Sequence, residues 1–184
     1  MTPDFPKSFP LNPARVHEVC GPSAASFAII CAARMQDTVL WIREAWRPET
    51  LNPIGLTPFL DPAKMLIAQG KDQTEGLSVA EEALRDGSTP LVVQEMGLIQ
   101  GRRLQLSAKT GKSTGLCIIP DGIGSTAAES RSHCAPLFVP SSAPADSTLQ
   151  RFELIKNKSG TLGSWHVRWD AAARRLNLVS QTGE

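Results

Sequence analysis

A Gly-Pro-Ser turn between an apolar run and a small-residue helix is where a chain would hold a phosphate. Residues 16–20 read as a strand, Gly21-Pro22 breaks it, and Ser23 caps the helical stretch ASFAIICAARM. A phosphate-binding loop needs glycines that bare backbone N–H groups, a lysine to neutralise the phosphate and a Ser/Thr hydroxyl for magnesium. Counted from Gly21 through the GxxxxGK[ST] spacing, the second glycine falls on Ser26, the lysine on Phe27 and the hydroxyl on Ala28. A phenyl ring cannot pair with phosphate, and a methyl group cannot ligate a metal. What remains, a helix dipole and a loop, is worth about 1 kcal/mol to an anion. Gly111-Lys112-Ser113 imitates the end of such a loop, but Leu106 stands where its first glycine belongs and the order is helix then strand. It reads as a helix-to-strand turn capped by Gly111.

Other reactive side chains are dispersed. Cys20, Cys31, Cys117 and Cys134 form no CxxC pair, and His17, His133 and His166 are equally scattered, so no metal site is expected. Three of the cysteines sit in apolar stretches and read as small buried hydrophobes. Basic residues gather at two places. Arg102 and Arg103 begin a helix that ends near Lys109 and Lys112, with no acid between them. This is either compensation of the helix macrodipole or a docking face for DNA or an acidic partner tail. Lys156 and Lys158 flank Asn157 at a strand end, where two lysines are ordinarily solvated turn residues. Trp165 and Trp169 alternate about Val167, and either pack a sheet or mark a protein-binding surface; Trp46 carries the same ambiguity.

The elements that must place these residues alternate. Strands are expected at 16–20, 38–42, 65–68, 90–93 and 115–119, with helices at 25–35, 74–85 and 101–110 and a proline-broken loop with one short helix over 46–62. Strands apolar at consecutive positions belong to a mainly parallel sheet covered on both faces. Residues 121–133, DGIGSTAAESRSH, read as a small, polar, flexible loop. Residues 149–155, 164–169 and 174–179 then alternate as antiparallel strands. The expected organisation is an irregular arm over 1–14 and one α/β domain over 15–180 with a Pro/Ser-rich loop at 140–147. The chain has 184 residues, 41% hydrophobic and 20% charged, in keeping with one soluble domain. Its net charge of +1 excludes gripping nucleic acid or membrane by bulk charge. No apolar run spans a bilayer and the proline-rich start lacks a secretion signal, so the cytoplasm is the expected compartment.

Together these residues resemble the RecA/RadA-type recombinase core. GLSVAEEALRDGSTPLVVQEM is similar to the segment leading into the Walker B strand, RFELIKNKSG to the strand with a Lys-Asn-Lys signature, and Trp41–Ala45 to the strand ending at the catalytic glutamate. HEVCGP, GRRLQLSAKTGKSTGLCIIP and SGTLGSWHVRWD resemble a short member of the ImuA-type family of the bacterial mutasome. The resemblance implies a RecA-like, non-polymerising scaffold in the SOS response to DNA damage. Its implied partners are an ImuB-type, Y-family polymerase-like protein, an error-prone DnaE-type polymerase, RecA and DNA, in translesion synthesis. Gln94 stands at the Walker B aspartate, with Glu95 next, and Ala45 at the catalytic glutamate, with Glu44 adjacent. With Phe27 and Ala28, these changes remove phosphate, magnesium and water-activating groups together, so no enzyme activity and no cofactor are expected. The resemblance also implies that Lys156 and Lys158 reach a partner's phosphate or DNA, and that residues 121–133 correspond to a DNA-binding loop in which Arg131 and His133 meet phosphate. Two alternatives stand beside it: a SulA-type cell-division inhibitor, and an active DNA-stimulated ATPase using Glu44 and Glu95.

Overall fold

Strands whose neighbouring residues are all apolar cannot leave either face to water. The computed structural model of the protein, described over residues 11–95, 101–138, 148–160 and 162–181, buries the central ones between helices and leaves Leu66 and Ile67 of the edge segment 65–70 about half exposed. Its strands are β1 (Val16–Cys20), β2 (Val39–Glu44), β3 (Met65–Gly70), β4 (Leu91–Glu95), β5 (Thr114–Ile118), β6 (Ser130–Pro136), β7 (Leu149–Asn157), β8 (Gly163–Asp170) and β9 (Arg175–Gln181). They form one sheet in the order β3-β2-β4-β5-β1-β6-β7-β8-β9. Pairings from β3 across to β6 are parallel, and those from β6 to β9 are antiparallel. A mixed α/β sheet with an antiparallel C-terminal extension is therefore what the chain builds.

Helix α1 (Ala24–Met35) covers one face. Its Phe27, Ile30 and Cys31 share a core with Val19, Trp41, Val93 and Leu116, and that core continues into Phe152, Trp165, Val167 and Trp169 of β7 and β8. Trp165 and Trp169 thus pack inward. The proline-rich segment, with its single turn α2 (Pro53–Leu56), roofs this end: Phe59 stacks on Trp169, and Trp169 Nε1 donates to the Pro58 carbonyl at 3.0 Å. Helices α3 (Gln73–Asp86) and α4 (Gly101–Gly111) cover the other face, setting Leu77, Leu84, Leu104 and Ala108 against Val16, Ile42, Val92 and Cys117. Asp72 caps α3 by accepting from the Glu75 N–H at 2.9 Å, and Gly87 ends it with a left-handed φ of 79°.

Four expectations are corrected. Ser23 occupies the N-cap of α1, but its side chain makes no capping bond. Gly111 is the last residue of α4 and not its cap; the left-handed residue is Lys112, at φ 59°. Glycine is required at 111 because a Cβ there would lie 2.1 Å from the Leu84 carbonyl oxygen and 2.7 Å from that of Arg85. Residues 121–133 are not one flexible loop, since β6 begins at Ser130. Its inward alternation is carried by Ser130, Ser132 and Cys134, which an apolar pattern search passes over. Finally, residues 11–14 of the expected arm are placed on the fold, with Leu11 buried and the Asn12 carbonyl accepting from His17. Residues 1–10 and the Pro/Ser-rich loop at 140–147 lie outside the described residues.

Candidate functional site

In open parallel sheets, ligands bind at the carboxyl ends of the strands where the winding reverses. Here that place is the end of β1: the chain leaves it toward β2 on one side, and later passes it from β5 to β6 on the other. Only Gly21, Pro22 and Ser23 lie between β1 and α1. Ser26, Phe27 and Ala28, where glycine, lysine and hydroxyl would stand, are already inside the helix. Phe27 is buried with its ring edge-on to Phe152, the centroids 4.9 Å apart, and Ala28 is fully covered. Gly21 has φ +91°, and a Cβ on it would sit 2.4 Å from the Cys134 carbonyl oxygen. The space over the turn is therefore filled by β6. The Ser23 N–H donates to that same Cys134 carbonyl at 3.0 Å, and the Ala24 N–H to the Gly21 carbonyl at 3.1 Å. These two amides face protein oxygen and are not offered to an anion.

The carboxylates at the ends of β2 and β4 are held by guanidinium groups. Glu95 accepts from Trp41 Nε1 at 3.2 Å and lies 3.6 Å from both Arg43 Nε and Arg47 Nη1. Glu44 is almost wholly buried and stands 3.7 Å from Arg47 Nε. Arg43 is itself only 4% exposed, whereas Arg47 is 31% and Glu95 20% exposed, so two acids and two bases make a half-buried cluster of balanced formal charge. Gln94 is buried and accepts weakly from the Cys117 thiol. Ala45, the position matched to a catalytic glutamate, follows β2 with its N–H on the Gly70 carbonyl.

The conspicuous polar network lies beside β1. Because β5 and β6 flank β1, the connection between them must cross over it, and residues 119–129 do so as irregular chain. Irregular backbone over a sheet needs partners for its polar groups, and charged side chains supply them. Glu18, with a side chain fully shielded from water, accepts from the Ser125 N–H at 2.8 Å and from Arg131 Nε at 2.8 Å. Arg131 Nη2 also donates to the Ser125 carbonyl at 3.3 Å. Lys156 Nζ donates to the Ser125 and Thr126 carbonyls at 2.7 and 3.1 Å, and Lys158 Nζ to the Ala127 carbonyl at 2.8 Å. Burial makes Lys156 release its proton more easily than a free lysine, with Glu18 opposing. Arg131, Lys156 and Lys158 are thus brought together as clamps on three consecutive carbonyls. Each lysine has one or two ammonium hydrogens beyond those bonds.

On the opposite side of β1, His17 is buried. Its Nε2 donates to the Asn12 carbonyl at 3.0 Å, which leaves Nδ1 to accept from the Ser130 hydroxyl at 2.7 Å. Desolvation lowers its pKa. Between the tip of the crossover and the sheet is an open crevice of about 410 Å³, walled by Asp121, His133, Arg151 and Glu153, with Cys20 at its base. The Cys20 thiol is pushed up to about 12, chiefly by burial, so it stays protonated and is no nucleophile. His133 Nε2 stands 3.8 Å from Asp121. Among the described residues, no group of three His, Cys, Asp or Glu could hold a metal ion, and no helix is long and apolar enough to cross a membrane.

No protein-family model and no curated protein sequence matches the chain. Its site is known by its own geometry. Arg102 and Arg103 lie in the first turn of α4, beside Gly101, which abuts Ser125 of the crossover; Arg103 pairs with Glu81 of α3, and Glu81 also holds Arg85 at 2.5 Å. Local pattern assigns no role to Glu18, Arg151 or Glu153, and His17 reads there only as one of three scattered histidines. The single usable signal was a charged residue inside an apolar strand: in VHEVC a buried glutamate demands a cation from elsewhere.

Proposed function

We propose that the protein is a non-catalytic, RecA-like scaffold of the ImuA type, serving damage-induced, error-prone DNA repair. In this reading it engages an ImuB-type, Y-family polymerase-like partner and works beside an error-prone DnaE-type polymerase, with RecA and DNA as further partners. The observation that carries the reading is the three-residue turn after β1. Its Ser23 amide is bonded to β6, its glycine is pressed against the Cys134 carbonyl, and Phe27 faces the core. No phosphate-cradling loop is left there. The neutralisation of Glu44 and Glu95 by Arg43 and Arg47 argues in the same direction. The parallel sheet, its crossover past β1 and its antiparallel continuation support the RecA-like part of the proposal.

Titration calorimetry with ATP and magnesium tests the non-catalytic part. The expected trace is flat, and saturable micromolar binding would overturn it. Phosphate release above a buffer blank in the presence of single-stranded DNA would favour an ATPase. Affinity capture with the tagged chain tests the partner. Recovery of polymerase components supports the proposal, whereas recovery of a tubulin-like cell-division GTPase favours a SulA-type inhibitor.

A further inference from the structure

Helix α4 is gripped from three sides. Leu104 and Ala108 are buried against the sheet. Gly101 abuts Ser125 of the crossover so closely that a Cβ would meet its Oγ at 2.1 Å, and Gly111 abuts the end of α3. Among the described residues, nothing covers the fourth side. Arg102, Leu106 and Lys109 are spaced i, i+4 and i+7, which places them in one stripe along a helix. All three are exposed, Leu106 to 68%. Among the described residues, Arg102, Lys109 and Lys112 have no hydrogen bond or ion pair, in contrast to Arg103 and Arg85, which share Glu81. Lys109 lies in the last turn, where a cation offsets the helix macrodipole, but that need does not extend to Arg102 in the first turn or to the exposed Leu106.

We propose that this stripe of α4 docks an acidic segment of a protein partner, one that carries an apolar side chain to cover Leu106. Charge complementarity selects the acidic segment. Leu106 selects protein over nucleic acid, because a phosphate backbone offers nothing to cover an isobutyl group. The inference rests on the scaffold reading and names the chemistry of its partner.

The probe is a short fluorescein-labelled peptide of alternating glutamate and leucine, titrated with the full chain and followed by fluorescence anisotropy. Binding is expected to weaken at least tenfold in the double variant Arg102→Glu/Lys109→Glu, through lost attraction and new repulsion. Leu106→Ser is expected to weaken it about tenfold, through lost apolar burial. Raising salt from about 50 to about 500 mM should weaken the wild type and leave the reversed variant nearly unaffected. All three positions are exposed, so circular dichroism should report unchanged folds. Absence of peptide binding, or equal binding by both variants, would overturn the proposal. Tighter binding of oligothymidine than of peptide, lost in the same variants, would overturn it in favour of nucleic acid. The assay contains no ATP or magnesium, so its failure is distinguishable from a failure of the calorimetric test above.

Discussion

Replacing Arg131 with methionine separates a structural clamp from a residue held ready for an outside anion. Its guanidinium lies 2.8 Å from Glu18, whose side chain has no contact with water. Methionine keeps the aliphatic stem and removes the charge, so the buried Glu18 side chain would lose its cation and keep the Ser125 N–H as its main partner. Breaking a buried pair in this way costs about 3–5 kcal/mol. Arg131 is 21% exposed, so water can partly replace it, and the lower end, about 3 kcal/mol, is expected. For a chain of this size that is a fall of about 6–12 °C in Tm. Glu18→Gln, which keeps an acceptor for the Ser125 amide, should cost about 1–2 kcal/mol. The double variant removes both charges of this pair and should be no less stable than Arg131→Met alone. Urea unfolding at pH 7, read from the fluorescence of buried Trp41, Trp165 and Trp169, gives all three values. If Arg131→Met changes stability by less than about 0.5 kcal/mol, or if the singles simply add, the clamp reasoning fails.

Three further outcomes follow from the same coordinates. His17 has a lowered pKa in the folded chain, so the unfolded chain binds its proton first. Its stability contribution is complete above about pH 6.5 and is lost below that, by up to about 1.4 kcal/mol per pH unit; His17→Gln should flatten the decline in Tm between pH 6.5 and 5, and an unchanged slope would disprove the assignment. Phe27→Lys should destabilise the fold by at least about 3 kcal/mol without creating ATP binding, because position 27 faces Phe152 and not a loop; calorimetric binding by a folded variant would contradict this. Native Cys20, Cys31, Cys117 and Cys134 are all buried with raised pKa values. They should therefore resist alkylation at pH 8 and react only in urea, whereas rapid modification of Cys20 in native protein would show the crevice to be chemically active.

Much of the architecture was legible because it depends on apolar runs and breakers. The strands before residue 119, the amphipathic helices and the antiparallel end all announce themselves by period and by Gly or Pro punctuation. β6 did not, since serines and one cysteine fill its inward positions and Arg131 and His133 its outward ones. The missing phosphate chemistry at Ser26, Phe27 and Ala28 could be counted from the sequence, but the reason no loop forms there could not. It lies in the Cys134 carbonyl, more than a hundred residues away. The lysines at 156 and 158 looked like surface charges or contacts for a partner. Their carbonyl acceptors come from a crossover whose path depends on where β6 pairs, a long-range fact no local pattern contains.

Glu18 has one more consequence, for the alignment of β1 with its neighbours. In the observed pairing Glu18 lies opposite Arg131 and Cys117, with its carboxylate toward the crossover. Sliding β1 by one residue would turn every side chain over, driving an ion among Phe27 and Trp41 and stranding Val19 beneath polar backbone. The charged residue in the middle strand therefore acts as a key that fits one notch, because a misaligned sheet would have to bury a carboxylate away from its cation.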